Sequence, residues 1–103
     1  MSEVVEVVVT GPADWVRAFS DAVVADRLAA CVHQVAIDSV YRWEGEVEHD
    51  REVRAMMHTS AARLDELTER IDREHPYDLP CILTVATIPS PGYANWVRES
   101  TAP

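Results

Sequence analysis

Ala30-Cys31-Val32-His33-Gln34-Val35-Ala36-Ile37-Asp38-Ser39-Val40-Tyr41-Arg42-Trp43, then Glu44-Gly45, then Glu46-Val47-Glu48-His49-Asp50-Arg51-Glu52-Val53-Arg54-Ala55-Met56-Met57-His58-Thr59, is the stretch on which the fold turns. Its first part has a period of two, with Val35, Ile37, Ser39, Tyr41 and Trp43 on one parity and Gln34, Ala36, Asp38, Val40 and Arg42 on the other. That is the pleat of a strand. Its last part alternates more loosely, Val47, Val53, Ala55 and Met57 against Glu46, Glu48, Asp50, Glu52 and Arg54. Glu44-Gly45 supplies a short reversal, so the spacing predicts two long strands joined as a hairpin. About fourteen residues at ~3.3 Å each reach further than two short helices can cover. Something else must cover the remainder. A small domain with two open sheet edges, carrying Tyr41, Trp43, Met56 and Met57 on such strands, is expected to pair with copies of itself in a closed homo-oligomer.

Outward from the hairpin the periods change. Glu3 to Thr10 is β-branched and nearly continuous, as a central strand should be, and Gly11-Pro12 breaks it. Trp15, Phe19, Ala22 and Val23 then recur at helical spacing, predicting a helix from Pro12 to near Leu28. Ser60 is placed to cap a second helix with an apolar stripe of Ala61, Leu64, Leu67 and Ile71, ended by His75-Pro76. Tyr77 to Pro80 reads as a connector, Cys81 to Ile88 as a strand, and the segment carrying Tyr93, Trp96 and Val97 as a short last helix. Thr101-Ala102-Pro103 is expected to fray. The order β-α-β-β-α-β plus a terminal helix is the α+β, ferredoxin-like plan: a four-stranded antiparallel sheet with two helices on one face, one domain over residues 1–103. The usual strand order of that plan sets Cys31 and Cys81 on opposite edges, so no disulfide joins them. Both are expected to be buried as small hydrophobes.

Composition narrows the function. In 103 residues there are 18 acidic and 9 basic side chains, a formal charge of -9, and such a field repels a phosphate backbone or an anionic bilayer. Neither nucleic acid nor membrane is an expected partner. Met1 to Glu6 lacks the features of a secretory signal, and no apolar run approaches the ~20 residues of a membrane span. A cytoplasmic protein is expected. No nucleophile elbow or CxxC pair is present, and Gly11, Gly45 and Gly92 are too scattered for a phosphate loop, so the chain does not read as an enzyme. The acidic row Glu44, Glu46, Glu48, Asp50 and Glu52 reads as a solvated strand face. His33, His49, His58 and His75 show no HxxxH or HExxH spacing, and spacing alone makes no zinc site within one chain. His75, at a helix end beside Glu74, is the best placed of the four to meet a metal.

Three stretches carry a specific resemblance: Asp26-Arg27-Leu28-Ala29-Ala30-Cys31-Val32, Ser39-Val40-Tyr41-Arg42-Trp43-Glu44-Gly45 and His75-Pro76-Tyr77-Asp78-Leu79-Pro80. In this order and spacing they resemble the signature stretches of the CutA family, the divalent-cation-tolerance proteins, over almost the whole chain. The resemblance implies a ferredoxin-like homotrimer, similar in architecture to the PII signalling proteins and associated with tolerance of copper and other divalent cations. It implies a weakly held divalent metal, copper or zinc, near His75 and Glu74. Val9 stands where some members have a cysteine ligand, which removes the soft donor. It also implies inter-subunit clefts lined by Tyr41, Trp43, His58, Tyr77 and Trp96, able to hold a small molecule or a partner segment as an alternative function. The family commonly has Lys at the position of His58 and Glu at that of Cys81. A protonatable His58 would make its site pH-sensitive near ~6.5.

Overall fold

The computed structural model describes residues 4–103. Strand β1 (Val4–Gly11) leads into helix α1 (Ala13–Ala25), followed by β2 (Cys31–Trp43), β3 (Glu46–Ser60), a single 3-10 turn (Ala61–Arg63), α2 (Leu64–Glu74), β4 (Ile82–Ala86) and α3 (Pro91–Ser100). The sheet order is β2-β3-β1-β4, antiparallel at every junction. This is the ferredoxin-like plan with a terminal helix. Glu3, expected in the first strand, lies outside the described residues.

Pairing of β2 with β3 runs unbroken from Cys31 opposite His58 to Trp43 opposite Glu46. The reversal is a two-residue turn with φ of 49° at Glu44 and 82° at Gly45, the sign a type I′ hairpin needs at both positions. Alternation then divides the sheet. Val7 and Val9 of β1, Val53, Ala55 and Met57 of β3 and Val32 of β2 meet Val16, Phe19 and Val23 of α1 and Leu67 and Ile71 of α2 in the main core. The opposite face carries the odd residues of β2 and the even residues of β3. Only α3 shields it, at one end, where Ala94 and Val97 pack on Val4 and Ala30. Beyond α3 large apolar side chains stay open on it, Val35 50% exposed, Leu83 54% and Val85 42%, although Val8 and Glu52 on the same face are buried.

The end of α1 explains the Asp26-Arg27-Leu28 stretch. The Leu28 N–H bonds the Val23 carbonyl at 2.9 Å and the Arg27 N–H bonds that of Val24 at 3.1 Å, a Schellman closure with Leu28 and Val23 in apolar contact. Arg27 takes the left-handed conformation, φ 62°, where glycine is usual. Its side chain offsets that strain: Nε donates to the Ala102 carbonyl at 2.8 Å and Nη2 to the Glu99 carbonyl at 2.7 Å, capping α3. Asp26 accepts from Arg70 of α2 at 2.6 Å. The helix therefore stops at Ala25 and not near Leu28.

Several expectations are corrected. Ser60 makes no side-chain cap; its hydroxyl is paired with Thr101 Oγ1 at 3.0 Å. Thr101, expected to fray, is 1% exposed and also bonds the Val97 carbonyl. Met57 is wholly internal, so it offers nothing to an outside partner. Strand β4 is shorter than Cys81 to Ile88, and Ile88 is fully exposed. Cys31 and Cys81 are both free, but Cys81 is exposed and Cys31 half-buried.

Candidate functional site

The first of two regions is a cleft of about 900 Å³ beneath the hairpin, between Ser39–Trp43, Asp50–Glu52 and the Pro76–Leu79 connector, with Thr10, Pro12 and Cys81 at its edges. Tyr41, Trp43 and Tyr77 of the expected aromatic set line it together. The Tyr77 hydroxyl donates to Glu52 Oε2 at 3.0 Å, and the Tyr41 hydroxyl donates to Asp50. Those bonds use two members of the acidic row, and Glu52 is buried, so that row is not solvated throughout. Burial, then the Glu52 bond, pushes the Tyr77 phenol up to about 12. The Asp50 bond and neighbouring carboxylates push Tyr41 to about 12 as well.

His75 holds the connector in place. Its Nε2 donates to the Thr10 carbonyl at 2.8 Å, and its Nδ1 accepts from the Tyr77 backbone N–H at 3.0 Å. One donor and one lone pair are all that a neutral imidazole has. The buried ring lies 4.5 Å from the Trp15 ring and 4.9 Å from the Tyr77 ring, centroid to centroid. A Cβ added at Gly11 would come within 3.1 Å of His75 Nε2, so glycine at the end of β1 gives the ring its room. Glu74 turns away from His75, its Oε2 accepting from Arg70 Nε at 2.9 Å. Val9 is buried in the main core. The residues expected to flank a metal here thus diverge, and the imidazole's lone pair is already used.

His58 and Trp96 do not line this cleft within one chain. The first is a base residue of the hairpin and the second lies on α3, its ring 5.6 Å from that of Tyr93. Nor does the structure join His58 to Cys81, which borders the cleft. Around His58 a second region forms. Tyr93 Oη lies 2.5 Å from His58 Nδ1 and 3.1 Å from Cys31 Sγ. The His33 ring meets the His58 ring edge-on at a centroid distance of 5.5 Å. Glu6 Oε1 stands 4.0 Å from His58 Nε2. Burial lowers the His58 pKa, opposed by Glu6 and assisted by His33, so its charge appears further below neutrality than an exposed histidine's. Burial and the Cys31 contact raise the Tyr93 phenol. Cys31, His33 and His58 bring ligand atoms within 4.8 Å of one another and are the one such group of three or more among the described residues. Histidine spacing misses them, because the thiol and the imidazoles meet only through strand pairing.

An antiparallel ferredoxin-like sheet with two helices on one face, a third at one end of the other and a long hairpin defines a small α+β domain of the ferredoxin-like class. The family model of the CutA1 divalent ion tolerance protein matches residues 4–100. The divalent-cation tolerance protein CutA of Thermus thermophilus is 38% identical over 98% of this chain and 99% of that one. A chloroplastic CutA protein of Arabidopsis thaliana is 37% identical over 82% of this chain, but the match spans only 48% of the plant protein. Among solved structures, the PII-like protein CutA of Nostoc sp. PCC 7120 superposes with a TM-score of 0.92 at 27% identity, covering 94% of this chain and 96% of that one. The chain belongs to the CutA1 divalent ion tolerance family. No helix among the described residues is long and apolar enough to cross a membrane.

Proposed function

We propose that this protein acts in the cytoplasm as a homotrimer in the response to copper and other divalent metal ions, binding metal weakly and catalysing no reaction. The observation that carries the reading is the partly open sheet face. Val35 on one edge strand and Leu83 and Val85 on the other, with Tyr41 and Trp43 further along the hairpin, leave large apolar side chains exposed, the kind of surface that pairing with another copy would cover. Edge strand β2 offers unpaired backbone groups beside it. The net charge of -9 enriches cations around the assembly. His75 enters this reading by holding the connector that lines the cleft, through Thr10 and Tyr77.

Light scattering at micromolar concentration tests the assembly: three chains are expected for the parent, and a smaller particle for Leu83→Asp, which places a charge on the face. A parent protein that stays a folded monomer overturns the proposal. Metal analysis of the purified protein and calorimetric titration with Cu²⁺ and Zn²⁺ test the second half, and a complete absence of heat with either ion rejects it.

One observation favours a second reading, a PII-like signalling or scaffold trimer. The cleft of about 900 Å³ is of small-molecule size, and Tyr41, Trp43 and Tyr77 supply apolar walls with a few polar groups. A thermal-shift screen with metabolites separates the two readings, because only this one expects stabilisation by a ligand other than a metal.

A further inference from the structure

We propose that Cys31, His33 and His58 form a metal site for a thiophilic cation of the Zn²⁺ and Cu⁺ class. The site is a product of register. Cys31 and His33, two apart on β2, lie on one face of the sheet, and His58 is the direct partner of Cys31 on β3. All three ligand atoms fall within 4.8 Å of one another.

The spacing is that of a coordination shell. Metal–sulfur and metal–nitrogen bonds of ~2.3 and ~2.0–2.1 Å at a tetrahedral angle set the two donor atoms about 3.6 Å apart. Cys31 Sγ and His58 Nδ1 are 3.6 Å apart. The Tyr93 hydroxyl is within hydrogen-bond distance of both atoms. A cation would take that position as the phenol moves aside. Glu6 Oε1 stands 4.0 Å from the far nitrogen of His58, on the side where a carboxylate that closed to hydrogen-bond distance would hold a ligating imidazole with its other nitrogen toward the metal. His33 is exposed, so its ring can swing the remaining distance at little cost. One thiolate and two imidazoles suit Zn²⁺ or Cu⁺ and give Mg²⁺ or Ca²⁺ none of the oxygen ligands they require. On binding, the Cys31 S–H bond breaks, a sulfur–metal bond forms, and the proton passes to solvent, with no change in oxidation state. The inference goes beyond the function proposed above, since it assigns a site on this chain whatever the assembly does.

The test uses the reduced full chain titrated with Co²⁺ and then with Zn²⁺. Binding at the site produces a thiolate-to-cobalt band in the near ultraviolet and the visible bands of tetrahedral cobalt, saturating at one ion per chain and abolished by Zn²⁺. Cys31→Ser is expected to remove the thiolate band. His33→Ala, at an exposed position that tolerates substitution, is expected to weaken binding roughly tenfold or more with an unchanged melting temperature. Cys81→Ser is expected to leave every signal intact. A thiolate band that survives Cys31→Ser, one lost equally in Cys81→Ser, affinity unmoved by His33→Ala, or no band at saturating Co²⁺ each overturns the site. A trimer that takes up Cu²⁺ or Zn²⁺ without these bands retires the site and leaves the proposed function standing.

Discussion

Two corners of this molecule are built around histidine, and they differ in what is left over. At His75 both ring nitrogens are bonded, to Thr10 and to Tyr77, and the ring is enclosed by Trp15, Tyr77 and Gly11. At His58 the ring shares one hydroxyl with a thiol and stands beside a second, exposed imidazole. The first imidazole is spent on architecture and the second keeps donors that a cation can claim. Residue type and helix-end position favour His75 as a ligand. The nature of the partners favours His58, whose Nδ1 meets a side-chain hydroxyl where both His75 nitrogens meet backbone.

The contrast is broken most directly at His75. His75→Ala empties a buried, doubly bonded ring position and is expected to cost roughly 3 kcal/mol of stability, read from urea denaturation, while calorimetric heats with Cu²⁺ and Zn²⁺ stay as in the parent. A loss of metal binding with little loss of stability would reverse the two assignments. Gly11→Ala probes the same corner from the strand side. Its added methyl meets His75 Nε2 at 3.1 Å, and a cost of about 1–3 kcal/mol is expected from such overpacking; an unchanged denaturation midpoint would show that the ring yields easily.

The other corner depends on α3, which carries Tyr93, and Arg27 fastens the end of that helix. Arg27→Ala is expected to destabilise by about 1–2 kcal/mol, since both caps go while the left-handed strain stays. Arg27→Gly should recover part of this by relieving φ, and equal melting temperatures for the two variants would contradict that division. The smallest effect concerns alkaline pH. Tyr41 and Tyr77 titrate near 12 when folded against a reference of about 10, so the folded state holds these protons more tightly. The stability they contribute is complete below pH ~10 and is lost as pH rises through ~12. Phenolate absorbance of the native protein should therefore appear only toward pH 12, and Tyr77→Phe should remove one tyrosine's share; ordinary titration near pH 10 would contradict both bonds.

Much of this was legible in the chain itself. Alternation in Val35 to Trp43, the break at Gly11-Pro12 and the stripe of Leu64, Leu67 and Ile71 give the elements, their order and the sheet, because each signal is local. What escaped depends on partners far along the chain. Ser60 carries the usual sign of a helix cap, yet its hydroxyl answers to Thr101. Arg27 does the work of a glycine only because α3 returns to it. The convergence of Cys31, His33 and His58 lay closer to reach: a two-residue turn at Glu44-Gly45 fixes every pair of the hairpin, and counting back from it sets Cys31 opposite His58. Inspecting histidine spacing along one strand at a time cannot reveal this. The separation of His58 from Tyr41 and Trp43 follows from the same count, since they occupy opposite ends of a long ribbon.

Arg27 also imposes an order of events on synthesis. The guanidinium of the residue that ends α1 bonds carbonyls 72 and 75 residues downstream, so those side-chain bonds form only after the segment through Ala102 has been made. The backbone closure of the first helix needs only Val23 to Leu28, so what the last helix adds is the side-chain clasp.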